Sequence, residues 1–228
     1  MDGKYRHELK YSITYADYLT LRPRLRAVLQ PDPHTGPDGT YWIHSIYYDN
    51  YRDLALKEKV SGIQLREKWR IRWYDHDLTF FTLEKKQKVS DLCMKFDAPI
   101  TPEECERILQ GNTGWMLSSE NDLEREFFCR QKAQLLQPRV VVTYTREPYI
   151  YGPGNVRITF DRDLRTSLYE RDFFRPDRVD IEAADDLGRM ILEVKFDAYL
   201  PGIVSDLLQL GRIRQSAFSK YGACRKFG

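Results

Sequence analysis

No stretch of the 228 residues comes near the roughly 20 consecutive apolar residues of a membrane-crossing helix, so direct insertion in a bilayer is not expected. The opening Met1-Asp2-Gly3-Lys4-Tyr5-Arg6 has no apolar segment and is not expected to act as a signal peptide. Cysteines are few and unpaired in spacing. Cys93, Cys105, Cys129 and Cys224 are scattered with no CxxC, which points to reduced packing thiols in a cytoplasmic protein. The four histidines (His7, His34, His44 and His76) show no metal-ligand spacing, so a zinc site is not expected. Charge of one sign is also missing: 36 Lys plus Arg stand against 34 Asp plus Glu, a net charge of +2 that gives no support to a general nucleic-acid binder. Repeats, low-complexity tracts and dividing linkers are absent, and a single domain over residues 1–228 is expected.

What is present is a core-forming 42% of hydrophobic residues and a charge pattern sorted by position. In Arg66-Glu67-Lys68-Trp69-Arg70-Ile71-Arg72-Trp73-Tyr74, the two-residue period of a strand puts Arg66, Lys68, Arg70 and Arg72 on one face. Trp69, Ile71 and Trp73 take the other. Like charges so arranged repel one another, and the arrangement is tolerable where water, carboxylates or a polyanion surrounds them. A solvated sheet edge is the plain alternative.

The same division recurs along the chain. Arg6, Glu8 and Lys10 alternate with His7, Leu9 and Tyr11, and a helix from Thr14 to about Gln30 follows, with Pro23 inside it. Strands are expected over 41–49, 66–74, 78–89, 92–98, 140–147, 156–161, 177–183 and 190–196. Asp53 to Val60 reads as a short helical or irregular link. Thr101-Pro102-Glu103-Glu104 is a helix start with a capping box, and a longer helix runs from Ser118 or Ser119 to Leu135. Asp185 to Gly188 reads as a hairpin turn. After Pro201-Gly202 a helical pattern continues to about Tyr221, with Leu207, Leu208 and Leu210 as core candidates.

At least six strands thus carry one apolar face and one face of mixed Arg, Lys and Glu. Helices can cover the apolar faces, and closing the sheet would turn the charged faces inward. An interior lined by cations is costly unless anions fill it, and Glu8, Glu84, Asp161 and Glu193 offset only part of the charge. A phosphate chain could offset the rest, since the Arg fork suits phosphate oxygens, and the carboxylates left over suit a hard divalent cation. The expectation is an α+β fold, a closed antiparallel β-barrel covered by several helices, with a phosphate-binding tunnel. RNA binding through Trp69 and Trp73 is the weaker reading, because both point away from the cations.

Seven short motifs occur in order: Tyr5-Arg6-His7-Glu8-Leu9-Lys10-Tyr11, Ser45-Ile46-Tyr47-Tyr48-Asp49, Arg70-Ile71-Arg72, Glu84-Lys85-Lys86, Val156-Arg157-Ile158-Thr159-Phe160-Asp161, Leu192-Glu193-Val194-Lys195 and Phe218-Ser219-Lys220-Tyr221. The series resembles the catalytic domain of the vacuolar transporter chaperone (VTC) family, in its stand-alone bacterial form. That family belongs to the triphosphate tunnel metalloenzymes. The resemblance implies a polyphosphate polymerase that moves the γ-phosphoryl group of ATP onto a polyphosphate chain, with Mn²⁺ or Mg²⁺ bound. It implies catalytic roles for Lys68, Arg70, Arg72, Lys86 and Lys220. Phosphate contacts are expected from Arg6, Lys10, Arg66, Tyr144, Arg146, Arg157, Lys195 and Ser219, and metal ligation from Glu193, with Glu8 and Glu84 beside it or orienting the cations.

Hydrolase and cyclase branches of that superfamily carry Glu-x-Glu-x-Lys at the first strand, whereas this chain has Arg6, Glu8 and Lys10. Loss of one carboxylate weakens a two-metal hydrolytic site and favours holding a longer phosphate chain. Expected partners are ATP and polyphosphate or triphosphate, not nucleic acid. Eukaryotic members carry membrane domains, so the resemblance allows a membrane-protein partner. The competing readings are a tunnel hydrolase of triphosphate or nucleoside triphosphate, and a non-catalytic polyphosphate-binding module. The cations are expected to act on ligand and not on the fold, so that replacing Arg70 or Arg72 would not lower ligand-free stability.

Overall fold

The structure is a computed structural model describing residues 4–167, 181–182, 188–209 and 215–225. Strand β1 (Arg6–Ile13) leads into helix α1 (Tyr15–Val28). Thr14 fixes that helix start: its hydroxyl accepts from the Asp17 N–H, and the Asp17 carboxylate accepts from the Thr14 N–H. Strands β2 (Gln30–Pro31) and β3 (Tyr41–Asp49), helix α2 (Leu54–Val60), and strands β4 (Leu65–Tyr74), β5 (Phe81–Val89) and β6 (Leu92–Ile100) follow. Helix α3 (Pro102–Leu109) begins at the expected Thr101–Glu104 capping box. A 3-10 turn over Gly114–Ser118 precedes α4 (Asp122–Gln134). The chain continues through β7 (Gln137–Tyr151), β8 (Val156–Ser167), β9 (Ile181–Glu182), β10 (Met190–Phe196), α5 (Gly202–Leu207) and α6 (Lys220–Cys224).

Pairing runs β7-β3-β4-β5-β6-β1-β10-β8, and β8 pairs back with β7, so eight antiparallel strands close into a ring. β2 and β9 are two-residue additions. The ring is not an ideal barrel. β1 meets β6 only at Arg6–Cys93 and His7–Leu92. Further along, the free edge of β1 is met instead by Gln215, which bridges Tyr11, and by Ser216, whose N–H donates to the Lys10 carbonyl at 2.7 Å.

Two apolar cores lie outside the ring. One packs Trp69, Ile71, Trp73 and Leu83 under α3, the 3-10 turn and α4, through Ile108, Met116 and Phe127. The other packs Ile158, Phe160, Leu192 and Val194 under α1 and α5, through Leu21, Leu25 and Val204. The tryptophans opposite the cations are therefore core residues, as their strand period requires. A third cluster fills part of the interior: Ile43, Tyr47, Val142, Tyr144 and Leu164 pack with Tyr221 and Cys224 of α6.

Several boundaries differ from the sequence reading. β5 starts at Phe81, not Leu78, because Asp77 accepts from the Thr79 N–H and hydroxyl and holds the chain in a turn. β6 extends beyond the expected 98 along its β5 partner, and β7 and β8 extend beyond 140–147 and 161, where their pairing with each other closes the ring. The helical pattern expected to Tyr221 is broken: α5 ends at Leu207, residues 215–219 contain no helix, and Ser219 caps a new helix by accepting from the Gly222 N–H. Of the strand expected over 177–183, only Ile181 and Glu182 are described. The turn residues 185–187 and Leu210 lie outside the described residues.

Candidate active site

Residues paired across an antiparallel ladder share a face, so the register decides what the ring encloses. Ser45 faces Arg72 and Tyr47 faces Arg70; Lys68 faces Lys86 and Arg70 faces Glu84; Glu8 faces Lys195 and Lys10 faces Glu193. All point inward. Most of them surround a cavity of about 700 Å³, lined among the described residues by eleven lysines and arginines against three carboxylates, Glu8, Asp91 and Glu193.

Carboxylates spend some of these cations. Glu84, with no exposed surface, takes Arg70 at 2.5 Å, Lys95 at 3.1 Å and Arg72 at 3.6 Å. Asp161 takes both Arg146 nitrogens at 2.6 and 2.7 Å and Lys220 at 2.5 Å. Glu8 pairs with Lys10 at 3.0 Å and with Lys86; Glu193 pairs with Lys195 at 2.9 Å and Arg146 at 3.5 Å. Among the described residues, Lys59, Arg66, Lys68 and Lys88 line the cavity with no carboxylate in ion-pair range. The Lys68 ammonium donates to the Ser219 hydroxyl at 3.1 Å and lies 5.2 Å from the Tyr221 ring centre.

The ionisation of these groups follows from that sorting. Burial, then Lys10, Lys86, Arg66 and Lys59, bring the Lys68 pKa down to about 7. Burial also lowers Lys195, to about 8, in spite of Glu193 and Glu8. For Glu8, burial and Glu193 act upward, but Lys10, Lys86 and Lys195 outweigh them and hold it at about 2. Glu193 is held well below the carboxylate range: burial opposes, and Lys195, Lys10 and Arg146 win. Glu8 and Glu193 are therefore ionised.

Most expected site residues converge here. Lys10, Arg66, Lys68, Arg70, Arg72, Lys86, Tyr144, Arg146, Lys195, Ser219 and Lys220 all line the cavity, as do Glu8 and Glu193. Tyr144 lies under Arg146 and Lys220, 5.3 and 4.5 Å from its ring centre. Three residues do not line it. Arg157 is drawn off by Asp32 at 2.7 Å and the Tyr41 hydroxyl at 2.8 Å. Arg6 reaches Asp197 at 3.1 Å and the Asn155 carbonyl. Glu84 sits beneath the arginines as their counter-ion. Sequence reasoning missed Lys59, Lys88, Asp91 and Tyr47 as lining residues. Lys88 was within reach, since it continues the Thr82–Glu84–Lys86 alternation; Lys59 carried no such signal, because α2 gives it no strand period.

Among the described residues, no three His, Cys, Asp or Glu side chains are grouped to hold a metal by themselves. Glu193 is near enough to Glu8 to act upward on its pKa, and both offer ionised oxygens. A hard divalent ion commonly takes one or two carboxylates and completes its shell with water and substrate phosphate oxygens. The donors present fit an ion bound together with a phosphate ligand.

A closed antiparallel ring with a cation-lined interior and helices packed outside is a tunnel-like α+β fold. Residues 5–227 match the VTC domain family, and the chain belongs to that family. A candidate adenylate cyclase from Bacillus halodurans is 14% identical, with a TM-score of 0.51, covering 86% of this chain and 82% of that one. A second, from Vibrio parahaemolyticus, is 12% identical with a TM-score of 0.46, covering 90% and 83%. The PH1012 protein from Pyrococcus horikoshii OT3 is 11% identical with a TM-score of 0.47, covering 91% and 92%. No curated protein sequence matches the chain.

Proposed function

We propose that this domain is a metal-dependent polyphosphate polymerase, transferring the γ-phosphoryl group of ATP to the end of a polyphosphate chain. The observation that supports it most is the imbalance of the cavity among the described residues, eleven cations against three carboxylates, with Arg66, Lys68 and Lys88 left without a carboxylate on the β4–β5 ladder and Lys59 beside them on α2. A surplus of that kind favours a polyanion longer than one phosphate. The terminal oxygen of the acceptor attacks the γ-phosphorus, the bond from that phosphorus to the β–γ bridging oxygen breaks, and ADP leaves with the bonding pair.

Lys68, Arg70, Arg72, Lys86 and Lys220 stabilise the transferring group, positioning and charge being the main levers in phosphoryl transfer. Lys10, Arg66, Tyr144, Arg146, Lys195 and Ser219 hold the flanking phosphates. Glu193 and Glu8 would hold the ion, Mn²⁺ or Mg²⁺, which neutralises phosphate-oxygen charge when bound. The test is to incubate the protein with ATP and Mn²⁺ and resolve the phosphate products on a gel. Long chains with ADP support polymerisation. Orthophosphate alone makes the protein a tunnel hydrolase, and binding without turnover makes it a polyphosphate-binding module.

A further inference from the structure

One rim of the cavity carries a feature that phosphate chemistry does not use. The turn from α2 into β4 exposes Val60 to 79%, Ile63 to 46% and Leu65 to 62%. This tip is held in shape. The Ser61 N–H donates to the Lys57 carbonyl at 2.8 Å, the Ile63 N–H to the Glu58 carbonyl at 3.0 Å, and Arg66 Nη1 to the Ile63 carbonyl at 2.6 Å. Gly62, at φ 70°, makes the reversal, and Leu65 pairs with Val89 of the neighbouring hairpin. Lys57 and Lys59 precede the apolar tip, Arg66 follows it, and Lys88 faces Arg66 across the ladder. Among the described residues, the acids Glu58 and Asp91 share this rim; burial, with Glu67 and Asp49 nearby, raises the Glu58 pKa.

We infer that this rim docks the protein on an anionic bilayer surface, Val60, Ile63 and Leu65 entering the headgroup region while Lys57, Lys59 and Lys88 meet lipid phosphates. Projecting apolar side chains ringed by unpaired cations are the combination that anionic interfaces bind. A soluble polyanion has no use for the apolar tip. A second copy packed about a two-fold axis would set the same cations against each other. Docking would bring the cavity mouth to the membrane surface, whatever reaction the cavity performs.

The test is flotation of the whole domain with vesicles of phosphatidylcholine alone or mixed with phosphatidylglycerol, at low and high salt. Binding is expected only with phosphatidylglycerol, and salt should weaken it. The double variant Val60→Asp/Ile63→Asp should lose at least about tenfold in partitioning and Lys57→Glu several-fold, with unchanged melting temperature. ATP turnover in solution should not change in either variant, which separates this inference from the polymerase reading. Absence of flotation overturns it, as does equal flotation of the double variant. Flotation abolished by tripolyphosphate yet kept by the double variant also overturns it, assigning the lipid phosphates to the cavity. Wild-type dimers in light scattering that the double variant dissolves would make the patch an interface between copies.

Discussion

Arg70 and Lys68 sit two residues apart on one strand face, yet their surroundings assign them different work. Arg70 is the nearest counter-ion of a fully buried carboxylate, Glu84, and its Nη1 also donates to the Tyr47 hydroxyl at 2.8 Å. Replacing Arg70 with Met strands that carboxylate with Arg72 and Lys95, so ligand-free stability in urea should fall by about 3 kcal/mol. The sequence expectation that removing this arginine would leave stability intact does not survive Glu84. Lys68 has no carboxylate to strand: Lys68→Met should hold or raise the urea midpoint while weakening tripolyphosphate binding at least about tenfold in calorimetry. Its titration gives a second prediction. With the folded pKa at about 7 against 10.5 ordinarily, the unfolded chain keeps a proton that the folded chain loses between those values. Ligand-free stability therefore gains as pH rises through about 7, and affinity for a polyanion, which needs the charged amine, falls. Lys68→Arg should flatten the decline in tripolyphosphate affinity above about pH 7; an unchanged slope would assign the decline to another group. The two-residue period made the shared face of these cations legible. Which of them are already paired was not, because the deciding partners, Glu84 and for Arg157 the distant Asp32, come from other strands and loops.

At the scale of elements, α6 and β10 bring the reaction's proposed groups together from opposite sides. Lys220 is the first residue of α6, placed by the Ser219 cap, and reaches Asp161 on β8 at 2.5 Å. Arg146 already binds Asp161 through two nitrogens, so Lys220→Ala leaves that carboxylate paired. Turnover of ATP should drop at least about tenfold, roughly 1.4 kcal/mol of barrier, while Arg26→Ala on the exposed end of α1 stays at the wild-type rate. Glu193→Gln on β10 keeps the shape and removes a charge that a divalent ion needs. Activity should collapse with tripolyphosphate still bound, a combination that titration and product gels can read together. Strands with clean alternation were legible from sequence, and so were the helices capped by Thr14 and by the Thr101 capping box. The C-terminal stretch was not. Its apolar spacing reads as one helix, but Ser216 is held by a backbone hydrogen bond to β1, a tertiary contact that overrides local preference.

For the molecule as a whole, the cation surplus makes the empty ring self-repelling. Binding that is confined to the folded state should stabilise it by about 2.7 kcal/mol at a hundredfold excess over Kd. Tripolyphosphate should therefore raise the melting temperature by several degrees, orthophosphate by far less, and added salt should shrink the gain. An equal effect of both anions would mean that the cavity reads charge alone and not chain length. Closure of the sheet was legible only as a consequence of where the charged faces had to go; its register, with β8 returning to β7, depends on pairings across the whole chain. One join in that circle was beyond any local signal. β1 and β6 touch at two positions and then diverge, leaving residues 94–100 of β6 without a described partner on that side. A hoop with one loose clasp parts there before it parts elsewhere, so amide exchange along that edge of β6 should outrun exchange within β7 and β8. A long linear guest in a sealed hoop can leave only lengthwise, with a dwell time that grows with its length. With a clasp that opens, it can slip out sideways, and release no longer depends on how long the guest has become.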